Sequence, residues 1–224
     1  MKIMYNIKKI IKSSTIDYPG EICSILFIGN CNLNCKYCYN TDLKTLKSLN
    51  YYENILPELI NRKSFINHII LSGGEPLYDS NILSLIDNLY KNYFNIGIHT
   101  NGTYPMHLLS AHNKIKFVGL DIKTSPDKYK QYFKDTFSRV YKSLQIIEKY
   151  KLNFEIRTTM DENYLELDDY IEIAKLLNEF KINNWTIKKQ RYFKNDKLNI
   201  KNILDVEQTL NNNCTKYVKN IKIV

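Results

Sequence analysis

Glycine is scarce in this chain and missing after residue 119: all seven glycines fall between Gly20 and Gly119 of 224 residues. Glycine marks places where backbone turns sharply or closely approaches another group. The special backbone chemistry is therefore expected in the first half, with the second half completing the scaffold and covering one side. Long apolar runs are missing too. No stretch approaches the roughly 18 residues of a membrane-crossing helix. The opening MKIMYNIKKIIKSS lacks an apolar core with a small-residue cleavage site. A cytoplasmic protein with no membrane partner is expected. Solenoid repeats and low-complexity linkers are absent. Cysteines number only five, Cys23, Cys31, Cys35, Cys38 and Cys214. Three sit within eight positions and the total is odd, so a disulfide framework fits poorly and metal or redox chemistry fits better.

What is present is ordinary for a soluble globular chain: 44% hydrophobic and 25% charged residues. The net charge is +9. Such a surface attracts nucleic acid, acidic membranes or an acidic protein, but the lysines are scattered and charge alone selects none of these. Apolar, β-rich runs alternate with helix-period stretches. Strands are predicted at Ile22–Ile28, Ile69–Leu71, Ile96–Ile98, Ile115–Ile122, Phe154–Thr158 and Trp185–Lys188. Helices are predicted at Tyr52–Asn61, Asn81–Tyr93, Phe137–Tyr150, Leu167–Phe180 and Ile203–Leu210. Six strands alternating with helices predict an α/β fold of parallel βαβ units, closed or partly closed into a barrel, in one domain over residues 1–224.

Cys31, Cys35 and Cys38 follow the first predicted strand with the spacing C-x3-C-x2-C. Three neighbouring thiolates can occupy three corners of a cubane iron–sulfur cluster and leave one iron open for a ligand that is not protein. The competing reading is structural zinc, which usually adds a second Cys or His pair, and none is present. Cys23 lies inside a strand and is expected to pack as a small apolar residue. Cys214 is expected as an unligated thiol in a polar tail. Further motifs are Ser72-Gly73-Gly74-Glu75-Pro76, His99-Thr100-Asn101-Gly102, Asp121-Ile122-Lys123 and Arg157. Two glycines let backbone approach a ligand, and a carboxylate beside them can bind an ammonium group. Asp121 and Lys123 point to one side of the mouth, as a ligand site or as a surface ion pair. Every motif falls at the C-terminal end of a predicted strand, where a (β/α) barrel builds its active site.

CNLNCKYC resembles the cluster motif of the radical S-adenosylmethionine (SAM) superfamily, with Tyr37 at its aromatic position. The resemblance implies a partial (β/α)6 TIM-like barrel, a [4Fe–4S] cluster on Cys31, Cys35 and Cys38, and SAM as cofactor. It places Tyr37 against the adenine, and Gly73, Gly74 and Glu75 at the methionine amino group. Thr100, Asn101, Asp121, Lys123 and Arg157 complete the expected cofactor-binding set, with Asp17 and Lys123 as candidate catalytic residues. Asp17-Tyr18-Pro19-Gly20, Cys38-Tyr39-Asn40, Asp121 to Pro126 and Arg157-Thr158-Thr159 look most like activating proteins of anaerobic ribonucleoside-triphosphate reductases. The likeness runs from Asp17 to Thr159 and fades by Phe193, giving a core of about 17–193 and a tail of 194–224. It implies reductive cleavage of SAM to a 5′-deoxyadenosyl radical, which takes a hydrogen from a glycine of a glycyl-radical partner. The basic face suggests docking of an acidic flavodoxin or ferredoxin electron donor. Two departures, His99 in place of an acidic residue and Tyr39 in place of histidine, put a cation site in doubt. No cysteine falls between Cys38 and Cys214, so an added ferredoxin-type domain is not expected. The rival readings are a small-molecule enzyme resembling 7-carboxy-7-deazaguanine synthase and a basic iron–sulfur protein that binds nucleic acid or regulates.

Overall fold

A computed structural model of the chain describes residues 4–189 and 200–224. Phe193 and the expected boundary at 194 lie outside the described residues. Eight strands form a single sheet in sequence order. They are β1 (Ile7–Tyr18), β2 (Glu21–Ile28), β3 (His68–Gly73), β4 (Asn95–Thr100), β5 (Ile115–Asp121), β6 (Phe154–Met160), β7 (Asn184–Lys189) and β8 (Asn220–Ile223). β1 pairs antiparallel with β2, and every later pair is parallel. The six predicted strands are β2 to β7, and they make the partial (β/α)6 barrel. Among the described residues no pairing joins β8 back to β1, so the sheet stays open.

The connecting helices are α1 (Leu56–Arg62), α2 (Ile82–Lys91), α3 (Pro105–Ala111), α4 (Tyr129–Tyr132), α5 (Phe137–Lys149), α6 (Leu167–Glu179) and α7 (Ile200–Thr209). The helix predicted over Tyr52–Asn61 is a π turn at Tyr51–Ile55 running into α1. Apolar spacing on α2 buries Ile82, Leu85, Ile86 and Leu89 against the sheet, an amphipathic face of the ordinary kind.

Alternation along each strand separates two cores. Leu26, Ile69, Leu71, Ile98 and Leu120 face outward into the layer under the helices. Cys23, Ile25, Phe27, Ile70 and Phe117 face inward, joined by Tyr18, and plug the β2–β5 side of the barrel. The plug keeps the barrel a packed core below its mouth.

Three expectations change. β1 was not foreseen: its register shifts between Ile7 and Lys9, Ile11 and Ser14, and Ser14 and Tyr18, and such bulges erase the period of two. The predicted terminal helix is present as α7, packed on α6, but the expected tail also carries an unforeseen strand, β8, which pairs with β7. Cys214 is accordingly fully buried rather than in a polar tail. Unusual backbone also continues past Gly119: Lys134, Asp135, Lys151 and Lys181 adopt left-handed φ of 50–54° without glycine. Among the described residues, no helix is long and apolar enough to cross a membrane.

Candidate active site

β2 ends in Gly29 and Asn30, and Asn30 adopts a left-handed φ of 64° that turns the chain across the barrel mouth. Cys31, Cys35 and Cys38 then line one cavity of about 240 Å³. The loop is held from several sides. The Lys36 N–H donates to the Tyr164 hydroxyl at 2.8 Å, and the Tyr37 ring meets Tyr164 edge-on at 5.5 Å. Leu33 packs with Tyr129, Phe133, Val140 and Tyr164. Asn101 Nδ2 donates to Asn32 Oδ1 at 3.1 Å, and Asn32 Nδ2 donates to Thr103 Oγ1 at 3.0 Å, tying the loop to the end of β4. Asn40 Nδ2 donates to the Gly73 carbonyl at 2.9 Å, tying it to β3.

Burial pushes the Cys31 thiol up to about 11. Burial raises Cys35 too, against the pull of Lys123. These thiols keep their protons until a metal centre displaces them, so loading should release acid. Among the described residues, no three His, Cys, Asp or Glu side chains converge where one metal ion could be held. Zinc requires such a point, about 2.0–2.3 Å from each donor. A cubane spreads its thiolates over separate corners. Three cysteine thiols from one loop line the cavity and no fourth cysteine does, a donor set that fits three corners of a cubane. Cys23 faces the barrel plug, and burial pushes its thiol up to about 12. Neither Cys23 nor Cys214 lines the cavity.

Gly73 and Gly74 line the cavity, but the atoms that require them to be glycine belong to the protein. A Cβ on Gly73 would strike the Ile28 carbonyl, and one on Gly74 would strike the Asn30 carbonyl. The Gly74 N–H donates to Ile28 O and the Glu75 N–H to Asn30 O, each at 2.9 Å. The two glycines therefore seat the end of β3 against the cysteine loop. Glu75 is fully buried and does not line the cavity. Its carboxylate accepts from Thr100 Oγ1 at 2.7 Å, Asn101 N at 2.6 Å and Leu77 N at 3.1 Å. Burial outweighs these donors and pushes the carboxyl up to about 7. Thr100 and Asn101 thus help to hold Glu75 beneath the mouth, while both also line the cavity.

The opposite wall is charged. Arg157 lies within β6 rather than at its end, because the strand continues to Met160. It stands directly across from Asp121 in the β5–β6 register, donating Nε to Asp121 Oδ1 at 2.9 Å, with Nη2 2.8 Å from the same oxygen as an ion pair and donating to the Gly119 carbonyl at 3.2 Å. Lys123 Nζ lies 3.4 Å from Asp121 Oδ2 and 5.7 Å from the Tyr37 ring centre. Burial disfavours the Asp121 charge, but Arg157 and Lys123 outweigh it and hold the carboxyl well below its usual range. Burial likewise opposes the Lys123 charge, and the fields of Tyr37 and Asp121 keep it firmly protonated. Gly119 makes room here, since a Cβ would come within 2.7 Å of both Arg157 Nη1 and His99 Cδ2.

Asp17 also lines the cavity, at the end of β1. Its carboxylate accepts from Ser14 Oγ at 2.5 Å, and its carbonyl lies 3.0 Å from His99 Nε2. Burial and Arg157 hold the His99 imidazole neutral, so Nε2–H is the donor to that carbonyl. His99 therefore anchors β1 over the mouth. The sequence reading missed Tyr164 and Lys188. Tyr164 is distant in the chain, and nothing local marks it. Lys188 sat in a predicted strand, and alternation from the core residue Ile187 could have pointed it inward.

A thiol-rich loop on the first parallel strand of an open barrel, faced by charged strand ends, defines a cluster-dependent enzyme of the partial-barrel class. The Radical SAM superfamily model matches residues 25–177, and the chain belongs to that superfamily. Its cofactors are accordingly a [4Fe–4S] cluster and SAM. A protein of Methanocaldococcus jannaschii, named provisionally as a glycyl-radical enzyme activating enzyme, is 29% identical over 76% of this chain and 74% of its own length. A second protein of that organism, named in the same way, is 28% identical over 72% of this chain and 63% of its own length. Among solved structures, Streptococcus suis SuiB bound to S-adenosylmethionine superposes with a TM-score of 0.61 at 16% identity, covering 89% of this chain. The chain spans about half of that protein, 51%. That likeness concerns the fold.

Proposed function

We propose that this protein activates a glycyl-radical enzyme, with anaerobic ribonucleotide reductase as its partner. The observation that carries the reading is the match to relatives named for this activity along about three quarters of the chain. Cys31, Cys35 and Cys38 would hold the cluster, leaving SAM to complete it, and Tyr37 would lie against the adenine. The backbone of Gly73 and Gly74, shaped by buried Glu75, meets the methionine amino group, with Thr100 and Asn101 beside it. Asp121, Lys123 and Arg157 fix the charged end of the cofactor. Lys123 stays cationic and Asp121 anionic, so neither trades protons during turnover. When bound, cluster and SAM together supply a one-electron cleavage that yields methionine and a hydrogen-abstracting 5′-deoxyadenosyl radical. Ile25 and Phe27 line the cavity with apolar surface and help to exclude water from it. Asp17, held by His99, forms the rim that an entering glycine loop meets. An acidic flavodoxin or ferredoxin, attracted by the net charge of +9, supplies the electron, so cluster reduction by it slows as salt rises.

The test is anaerobic reconstitution with iron and sulfide, then SAM and dithionite. The expected product is 5′-deoxyadenosine, lost when any one of Cys31, Cys35 or Cys38 is replaced by alanine. Mixing with anaerobic ribonucleotide reductase should give a glycyl doublet in electron paramagnetic resonance. Turnover of the deazaguanine precursor without a protein partner would instead establish a small-molecule enzyme. An intact cluster with no 5′-deoxyadenosine would point to a binding or regulatory protein.

A further inference from the structure

β7 brings one more cation into the cavity. Lys188 stands across from Thr159 in the β6–β7 register. Alternation sends Trp185 and Ile187 outward to the helix layer, so Thr186 and Lys188 point into the barrel with Glu155, Arg157 and Thr159. Lys188, Lys189 and Thr159 all line the cavity that the three cysteines line. Arg157 and Lys123 share the Asp121 carboxylate, whereas Lys188 is paired with none among the described residues. Among the described residues no hydrogen bond or ion pair reaches its ammonium. On the same face the Glu155 carboxylate accepts from the Thr186 hydroxyl at 2.7 Å, and the Asp17 carboxylate accepts from Ser14 Oγ. Four cations (Lys123, Arg157, Lys188 and Lys189) face two carboxylates (Asp17 and Asp121) around one cavity.

We propose that Lys188, with Lys189 beside it on the rim, binds a carboxylate or phosphate carried by the molecule that gives up its hydrogen. The proposal deepens the radical-transfer reading and rests on it. A half-buried ammonium without a counterion is poorly solvated, and an entering anion restores the balance. Burial and the Arg157 charge already weaken the hold of Lys188 on its proton, with Asp121, Glu155 and Asp17 opposing them. An anionic target relieves that tension and a neutral one does not, so the site selects by charge. Lysine acts as a point charge, and therefore accepts carboxylate or phosphate alike.

The test uses cluster-loaded protein saturated with SAM, under anaerobic calorimetry, with malonate and inorganic phosphate as probes and neutral malonamide as control. Malonate or phosphate should bind, and malonamide should not. Lys188→Met should weaken the anion by about tenfold or more, whereas Lys188→Arg should retain it. SAM affinity should hold within about twofold in both variants. Equal anion binding by wild type and Lys188→Met overturns the proposal. So does a parallel loss of SAM affinity, which would assign Lys188 to the cofactor carboxylate. Should Lys188→Met fail to fold, acetylation of the wild type decides: malonate must protect Lys188, read by peptide mass spectrometry, and absence of protection overturns the proposal. None of these readouts involves a glycyl-radical enzyme. They therefore stand or fall separately from the glycyl-doublet experiment, which tests the identity of the partner.

Discussion

Replacing Gly74 by alanine probes the junction between the end of β3 and the cysteine loop. The new Cβ would strike the Asn30 carbonyl oxygen and approach the Asn30 carbonyl carbon to 2.6 Å. Carbon atoms prefer about 3.5–4.0 Å, so the turn must retreat by about 1 Å. Both obstructing atoms are backbone, and no side chain can swing aside. Overpacking of this kind costs about 1–3 kcal/mol. The retreat also strains the Glu75 N–H bond to Asn30 O, now 2.9 Å, worth about 1 kcal/mol if lost. The sum, about 2–4 kcal/mol, corresponds to a fall in Tm of roughly 5–15 °C for a chain of this size. Asn30 precedes Cys31, so iron loading should suffer as well. Gly20→Ala is the control: nothing lies within 4 Å of its Cβ position, but its φ is +76°. Its cost is the left-handed penalty alone, about 1–2 kcal/mol. The assays are thermal denaturation of the apoprotein and iron content after reconstitution. If Gly74→Ala melts with Gly20→Ala and loads iron normally, the glycine does not hold this junction.

Glu75 binds its proton more tightly folded, at about 7, than in its ordinary range near 4.5. Stability should therefore fall as pH rises from about 4.5 to 7, by about 3 kcal/mol in urea titrations, and Glu75→Gln should flatten that slope. Arg157→Met leaves Asp121 without its guanidinium partner. Because Asp121 keeps a third of its side-chain exposure, the cost should be about 2–4 kcal/mol by chemical denaturation, near the lower part of the range for a broken buried pair. Tyr164→Phe removes the acceptor of the Lys36 N–H. It should cost about 1–2 kcal/mol and speed iron loss to a chelator, with no change in secondary structure by circular dichroism. Lys151→Gly and Lys181→Gly relieve left-handed φ of 50° and 53° just past α5 and α6. Each should raise stability by about 0.5–1 kcal/mol, seen as a higher denaturant midpoint.

Much of the site was legible because its chemistry is written in local spacing. C-x3-C-x2-C needs only a loop, and β2 to β7 read as apolar runs because parallel strands are buried on both faces. The alternation Asp121-Ile122-Lys123 placed two charges on one side, and the structure joins them as an ion pair. The roles of Gly73, Gly74 and Glu75 were not legible in the same way. Their partners, Ile28, Asn30, Thr100 and Asn101, come from the ends of other strands. β1 escaped notice because bulges broke its period, and its place over the mouth depends on His99, about 80 positions along the chain.

The sequence by itself determined the cysteine loop, the parallel strands and the placement of polar groups after them, since each depends on residues within a few positions of one another. Tertiary structure alone decided which charges have partners. Arg157 is satisfied because the β5–β6 register sets it opposite Asp121, while the β6–β7 register sets Lys188 opposite Thr159, and among the described residues no ion pair reaches it. Register and sheet curvature bring together groups dozens of residues apart, and a linear pattern does not contain that distance.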